Sequence, residues 1–237
     1  MKPLNVLVPP GVLVAGTTIA LEDSEAHHLR VRRAATDASL TLFDGEGATA
    51  TGTQHADGKS VAVLVGAVQH FPRPPLTVLA VGAGDKERFL AVSERCTELG
   101  VTHLVPLRTD RTQAVDTRFR DSSIDKARRR AREACKQCEN PWATVIEESC
   151  SLTELAERHA GVHWHLGAVG GTRCPAFGVD QSVGWLIGPE GGFSDDELAL
   201  AVGGLSALSV SFGPSILRFD TAAVAAAAMT LDRRRTT

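Results

Sequence analysis

Three observations on the amino-acid sequence predict an α/β protein preceded by a smaller β-rich domain. After residue 75 short apolar runs alternate with helical patterns, which implies a mostly parallel sheet covered on both faces. Before residue 71 short alternating runs recur between turn residues, the pattern of a small β-barrel. Between them Phe71, Pro72, Arg73, Pro74 and Pro75 can continue neither a helix nor a central strand. The expected domains are therefore 1–72 and 73–237.

In the first domain the expected strands are Asn5 to Val8, Thr18 to Leu21, Leu40 to Phe43, Ala48 to Thr53 and Ser60 to Val68, with one helix near Glu25 to Arg33. Asp44-Gly45-Glu46-Gly47 and Asp57-Gly58 supply turns. In the second, Leu76 to Val81 reads as strand, Lys86 to Leu99 as helix, His103 to Pro106 as strand and Ser123 to Cys138 as helix. Thr144 to Glu147 is strand-like, a short helix opens at the capping-box pair Ser151 and Glu154, and Val162 to Leu166 is strand again. Val183 to Ile187 follows as strand, Ser194 and Glu197 cap a helix through Val202, Ala207 to Ser211 is the last strand and Ala222 to Leu231 the last helix. The alanines of that helix allow close packing.

Composition narrows the function. The chain has 237 residues, 43% apolar and 22% charged, enough to bury a real core. No apolar run reaches bilayer length, and Met1 to Pro10 lacks the core of a signal peptide, so a soluble cytoplasmic protein with no membrane partner is expected. Five cysteines in such a chain argue against a disulfide framework. Cys135 and Cys138 form a C-x-x-C inside a helical run without a second such pair, so no metal is expected. A formal charge of −3 excludes a protein basic all over, yet Arg30, Arg32 and Arg33, then Lys126, Arg128, Arg129, Arg130 and Arg132, then Arg233, Arg234 and Arg235 form local clusters suited to a polyanion. Tyrosine is absent and aromatic residues make up 5%, which disfavours a stacking platform for bases.

The chemistry concentrates in two loops of the last third. Gly188-Pro189-Glu190-Gly191-Gly192-Phe193 follows the strand Trp185-Leu186-Ile187, and Ser211-Phe212-Gly213-Pro214-Ser215-Ile216-Leu217-Arg218 follows the last strand. Both are strand-to-helix turns at the carboxyl edge of the sheet, where open α/β folds bind ligands. Their glycines let main-chain groups approach a flat ligand, so a nucleoside-type cofactor is expected. The spacing fits neither G-x-G-x-x-G nor the P-loop, and no G-x-S-x-G is present. A nicotinamide dehydrogenase and a serine hydrolase are thereby disfavoured.

With these loops in view, the chain resembles the RsmE family of 16S rRNA (uracil-N3)-methyltransferases, within the SPOUT superfamily. His27-His28-Leu29-Arg30-Val31 with Arg33, Leu42 to Gly47, Thr97-Glu98-Leu99-Gly100-Val101, Pro106, Arg111, Gln137-Cys138 and Pro141 follow the family's order. So do Ile187 to Phe193 and Ile216-Leu217-Arg218 with Thr221-Ala222. Ser215 stands where the family often has arginine, Phe219 and Asp220 replace a common Thr-Glu pair, and Arg95 and Arg32 take usual lysine and leucine positions.

The resemblance implies a PUA-like RNA-binding β-barrel followed by a SPOUT α/β trefoil-knot domain, S-adenosylmethionine as methyl donor, a homodimer, and 16S rRNA of the small ribosomal subunit as partner. It implies cofactor contacts by Leu166, Gly167, Ile187, Gly188, Pro189, Glu190, Gly191, Ser211, Phe212, Gly213, Ile216, Leu217 and Arg218. Arg218 and Glu190 are the candidate catalytic pair, as cation and proton acceptor. A purely structural role for Arg218 would be a salt bridge to Asp220 or Glu190 that braces the loop. Arg30, Arg33, Arg111, Lys126, Arg129 and Arg130 are candidate RNA contacts. Two alternatives stay open: a related enzyme acting on another acceptor such as a ribose 2′-hydroxyl, and a non-catalytic ribosome-assembly factor.

Overall fold

A computed structural model describes residues 3–32, 34–35, 37–57, 60–82, 84–112 and 121–234. Two compact units result, Met1–Arg73 with Arg132–Ala143, and Pro74–Ala131 with Thr144–Thr237.

The first unit holds β1 (Leu4–Leu7), β2 (Thr18–Ala20), α1 (Asp23–Val31), β3 (Ser39–Phe43), β4 (Ala48–Asp57) and β5 (Ser60–His70). Its sheet has the order β1-β3-β4-β5-β2, antiparallel except for the β1–β3 pair. Val6, Leu29, Leu40, Leu42, Val63 and Val65 form its core. The pairings leave β1 and β2 as edges, so among the described residues the expected barrel is a five-stranded sheet. Arg132–Ala143 groups with this unit for identifiable reasons. The Arg132 guanidinium donates to Asp44 O at 3.0 Å and Val8 O at 2.9 Å, and Lys136 Nζ meets Glu25 Oε1 at 2.7 Å. Gly47, at φ +95°, lies so close to the Trp142 ring that a Cβ would come within 2.2 Å of it. Arg132 thus serves two backbone carbonyls, rather than being free for a polyanion as the basic cluster in the sequence suggests.

The second unit is built on a six-stranded parallel sheet, order β11-β9-β10-β6-β7-β8. These strands are β6 (Thr77–Val81), β7 (His103–Pro106), β8 (Val145–Ile146), β9 (His163–Thr172), β10 (Val183–Ile187) and β11 (Leu208–Val210). All five residues of β6 and of β10 are buried, as a sheet covered on both faces requires. Alternation sorts them. Leu79, Val81, Trp185 and Ile187 enter one core with α2 (Lys86–Glu98) and the last helix, while Val78, Ala80 and Leu186 enter the other.

The helix starts follow their chemistry. The Asp85 carboxylate accepts from Arg88 N–H at the start of α2, and α3 spans Asp121–Cys138. Full capping boxes open α4 (Leu152–Arg158) through Ser151 and Glu154, and α5 (Asp195–Ala199) through Ser194 and Glu197. A π-turn, Leu200–Gly204, continues α5 over part of the span expected as helix. The last helix, α6 (Phe219–Arg233), buries Phe219, Ala222, Ala223, Ala226, Ala227 and Thr230, a stripe of small residues at helical spacing. It starts three residues before the expected Ala222.

One strand departs from expectation. β9 continues past Leu166 to Thr172, pairing with β11 through a register shift that sets Val210 against Thr172. Its extension reads Gly-Ala-Val-Gly-Gly-Thr, and Gly171 lies where a Cβ would come within 2.7 Å of the Val210 backbone. Only a residue without a side chain allows that approach.

Candidate active site

The middle of β9, the carboxyl end of β10 and the loops after β10 and β11 enclose a pocket of about 310 Å³. Of the residues expected at a cofactor, Leu166, Gly167, Ile187, Gly188, Pro189, Phe212, Gly213, Ile216 and Leu217 line it. Its walls are mainly apolar. Gly167 is sterically required: a Cβ there would stand 2.6 Å from Phe212 Cε2 and 3.0 Å from Ile187 Cδ1. Gly82 matters equally, because its N–H donates to Ile187 O at 2.8 Å and a Cβ would lie 2.6 Å from Pro189 Cδ. The loop after β10 therefore lies flat against the end of β6.

Beneath the pocket runs a row of tilted aromatic rings. Phe212 lies 5.4 Å from the fully buried Trp185, and Trp185 lies 5.0 Å from His165. The indole Nε1–H donates to Thr230 Oγ1 of α6 at 2.8 Å. His165 is 4% exposed and its Nδ1–H donates to Gly184 O at 3.2 Å. Burial lowers its pKa below the ordinary histidine value. The folded chain therefore holds His165 neutral, while the unfolded chain takes up a proton once pH falls through about 6.5. Stability is expected to fall as pH drops below that value and to level off below the lower folded pKa. Urea midpoints between pH 7.5 and 5 should show this loss in the parent and a smaller one in His165→Asn; equal losses would refute the assignment.

Glu190, Gly191, Ser211 and Arg218 do not line the pocket. Ser211 shapes the loop instead, its Oγ donating to Gly213 O at 3.0 Å and accepting from Gly213 N–H at 3.2 Å. Arg218 is the N-cap residue of α6, directly after the pocket residue Leu217. Its side chain is exposed and, among the described residues, has no hydrogen-bond or ion-pair partner. The brace to Asp220 or Glu190 is thus not formed. Glu190 turns to the other face of its loop, with Oε1 3.6 Å from Arg88 Nη1. There it lines a second, polar cavity of about 590 Å³ together with Gly84, Asp110, Arg111, Thr112, Pro189 and Gly191.

Phe193, Leu198, Phe219 and Ala222 also line the first pocket, and none of them is among the cofactor contacts expected from the sequence. Phe193 and Leu198 occupy the two positions of a hydrophobic staple around the Ser194 capping box, a signal that could have found them.

Among the candidate RNA contacts, Arg30, Lys126 and Arg129 are exposed. Arg130 is engaged by Glu94 at 3.3 Å and Glu87 at 3.7 Å. Arg111 donates to Gly191 O at 3.0 Å. Arg33 lies outside the described residues.

Residues 72–231 match the family model described as an RNA methyltransferase domain. The chain is 26% identical over 215 residues to the ribosomal RNA small subunit methyltransferase E of Rickettsia conorii, covering 87% of this chain and 86% of that protein. To the protein of the same name from Synechocystis it is 28% identical over 233 residues, covering 94% and 75%. In fold it is similar to the crystal structure of the ribosomal RNA small subunit methyltransferase E of Neisseria gonorrhoeae bound to S-adenosyl methionine, with a TM-score of 0.86, 21% identity and 98% of each chain covered.

Proposed function

We propose, from the premise that this chain belongs to the RNA methyltransferase family, that it methylates N3 of a uridine in 16S rRNA of the small ribosomal subunit, using S-adenosylmethionine. The observation that carries this reading is the pocket where the loops after β10 and β11 meet the middle of β9, walled by Leu166, Ile187, Phe212 and Leu217 and kept open by Gly167. Such a site suits a nucleoside, with apolar side chains against the ring and main-chain groups at its edge. The donor supplies an electrophilic methyl group on a sulfonium.

The chain's own residues have three tasks. The pocket walls fix the donor so that the acceptor atom can line up behind the methyl group, and positioning of this kind accounts for much of such catalysis. Arg218, directly after the pocket residue Leu217 and without a side-chain partner among the described residues, stabilises negative charge developing on the uracil carbonyl oxygens. Glu190 accepts the N3 proton or orients the base. N3 lies on the pairing edge, so the uridine must be unpaired or extruded.

We assign the first unit a PUA-like barrel role in holding RNA through phosphates, with Arg30 as a contact, and the second the SPOUT knot. We also propose a homodimer acting in the cytoplasm. The exposed Val169 and Ile216 beside the pocket, at 60% and 88%, support a surface covered by a second copy.

The test is incubation with labelled methyl donor and unmodified small subunits, followed by nucleoside analysis. Labelled 3-methyluridine is expected. Label in a 2′-O-methylated ribose would refute the acceptor assignment, and no label with bound donor would refute catalysis.

A further inference from the structure

A third cavity, of about 180 Å³, lies at the amino end of β6 and belongs wholly to the second unit. Local chemistry explains why space is left there. Beyond α2 the chain turns through Leu99 and Gly100, and Gly100, at φ +72°, is so open that an added Cβ would meet nothing within 4 Å. On the side of α6 stands Ala227, one of the stripe of small residues of that helix. Pro74 and Pro75 lead into β6 and bring no N–H. With Leu231 these residues make the walls apolar.

Among the lining residues only Thr77, Thr230 and Arg234 have polar side chains, and they differ in what they still offer. Thr230 is satisfied, its Oγ1 accepting from the Trp185 indole at 2.8 Å and donating to Ala226 O at 2.9 Å. Thr77 is 5% exposed; its Oγ1 accepts from Arg234 Nη2 at 2.9 Å, and its own proton has no acceptor among the described residues. Arg234 donates in addition from Nη1 to Val179 O at 3.2 Å, so about three of the five N–H groups of its guanidinium lack an acceptor among the described residues. Nor does it form an ion pair among them: Asp232 is taken by Arg233 at 3.4 Å, and Asp180 attracts Arg234 only from a distance. Burial pulls the pKa of Arg234 below the ordinary arginine value, as befits a cation partly stripped of water with no anion beside it.

We infer that this cavity binds a small carboxylic acid with an apolar body, the body against Pro75, Leu99 and Ala227 and the carboxylate against Arg234 and the Thr77 hydroxyl. The unused groups set the charge of the guest. All of these side-chain groups are donors and one is cationic, so a carboxylate is matched, with two parallel bonds from the guanidinium, and an ammonium is repelled. Volume sets the size. An apolar cavity of roughly 150 Å³ holds benzene, so the space here admits one ring or short branched chain with its carboxylate at Arg234. Neither Ala227 nor Arg234 lines the donor pocket, and the site stands apart from methyl transfer.

The experiment titrates the full chain by calorimetry with benzoate, with its uncharged counterpart benzyl alcohol and with the cationic benzylamine, and follows the methyl groups of Ala227 and Thr230 by NMR. Benzoate is expected to bind with a Kd of about 0.1–1 mM, as its few heavy atoms allow, and to shift both methyl signals. Benzyl alcohol should bind at least about fivefold more weakly and benzylamine not at all. Arg234→Gln should weaken benzoate by roughly tenfold and leave benzyl alcohol within about twofold. Ala227→Leu, which fills the space, should abolish binding of both while S-adenosylmethionine affinity stays within about twofold. Should that variant fail to fold, Arg234→Gln still decides. Absence of benzoate binding, equal affinity for benzoate and benzyl alcohol, or benzoate binding unchanged in Arg234→Gln would each overturn the site. So would shifts confined to Phe212 and Leu217 of the donor pocket.

Discussion

Replacing Arg218 with alanine is expected to lower kcat by about 10²–10³-fold, the scale seen when one preorganised donor to a developing oxyanion is removed. The geometry separates this effect from a structural one. Arg218 is exposed at the start of α6 and has no side-chain partner among the described residues, so truncation should change stability by no more than about 0.5 kcal/mol. Thermal melts of parent and variant should superimpose while single-turnover rates diverge. Full turnover by the variant with cofactor and RNA saturating would remove Arg218 from the mechanism.

The largest stability effect is expected at Trp185. Its side chain is wholly buried in the middle of β10, touches the His165 and Phe212 rings and donates to Thr230. Trp185→Ala should cost about 3–5 kcal/mol, a large share of the roughly 5–15 kcal/mol by which domains of this kind are stable. Trp185→Phe keeps most of the ring but loses the bond to Thr230, at about 1 kcal/mol for the hydrogen bond itself. Urea unfolding would measure both, and a cost under about 1 kcal/mol for the alanine variant would mean that the site collapses around the gap.

Legibility in the sequence varies with the physics at each position. β6 and β10 are plain because five successive buried residues leave an apolar run, and the Ser151 and Ser194 boxes are plain because a capping box is a local pattern. The end of β9 is not, since three glycines in six residues read as a loop until β11 is laid beside them. The pocket residues of the loops after β10 and β11 are within reach because strand ends place them together, whereas Leu166 and Gly167 join them from the middle of β9. Arg88 and Glu190 are beyond it as a pair: 102 positions separate them, and no local pattern couples a helix start to a distant loop. The grouping of Arg132–Ala143 with the first unit is hidden for the same reason, because helical periodicity does not say which carbonyls Arg132 will serve.

The tilted contact of Phe212 with Trp185, centroids 5.4 Å apart, has an optical consequence. Indole emission responds to the distance and motion of a neighbouring ring, and Phe212 belongs to the very loop that walls the apolar pocket. Because Thr230 tethers the far edge of the same indole, the fluorophore itself stays still while the loop settles over a guest. With Trp142 and Trp164 replaced by phenylalanine, entry of a molecule can thus be timed from the emission of Trp185 alone, with no dye attached.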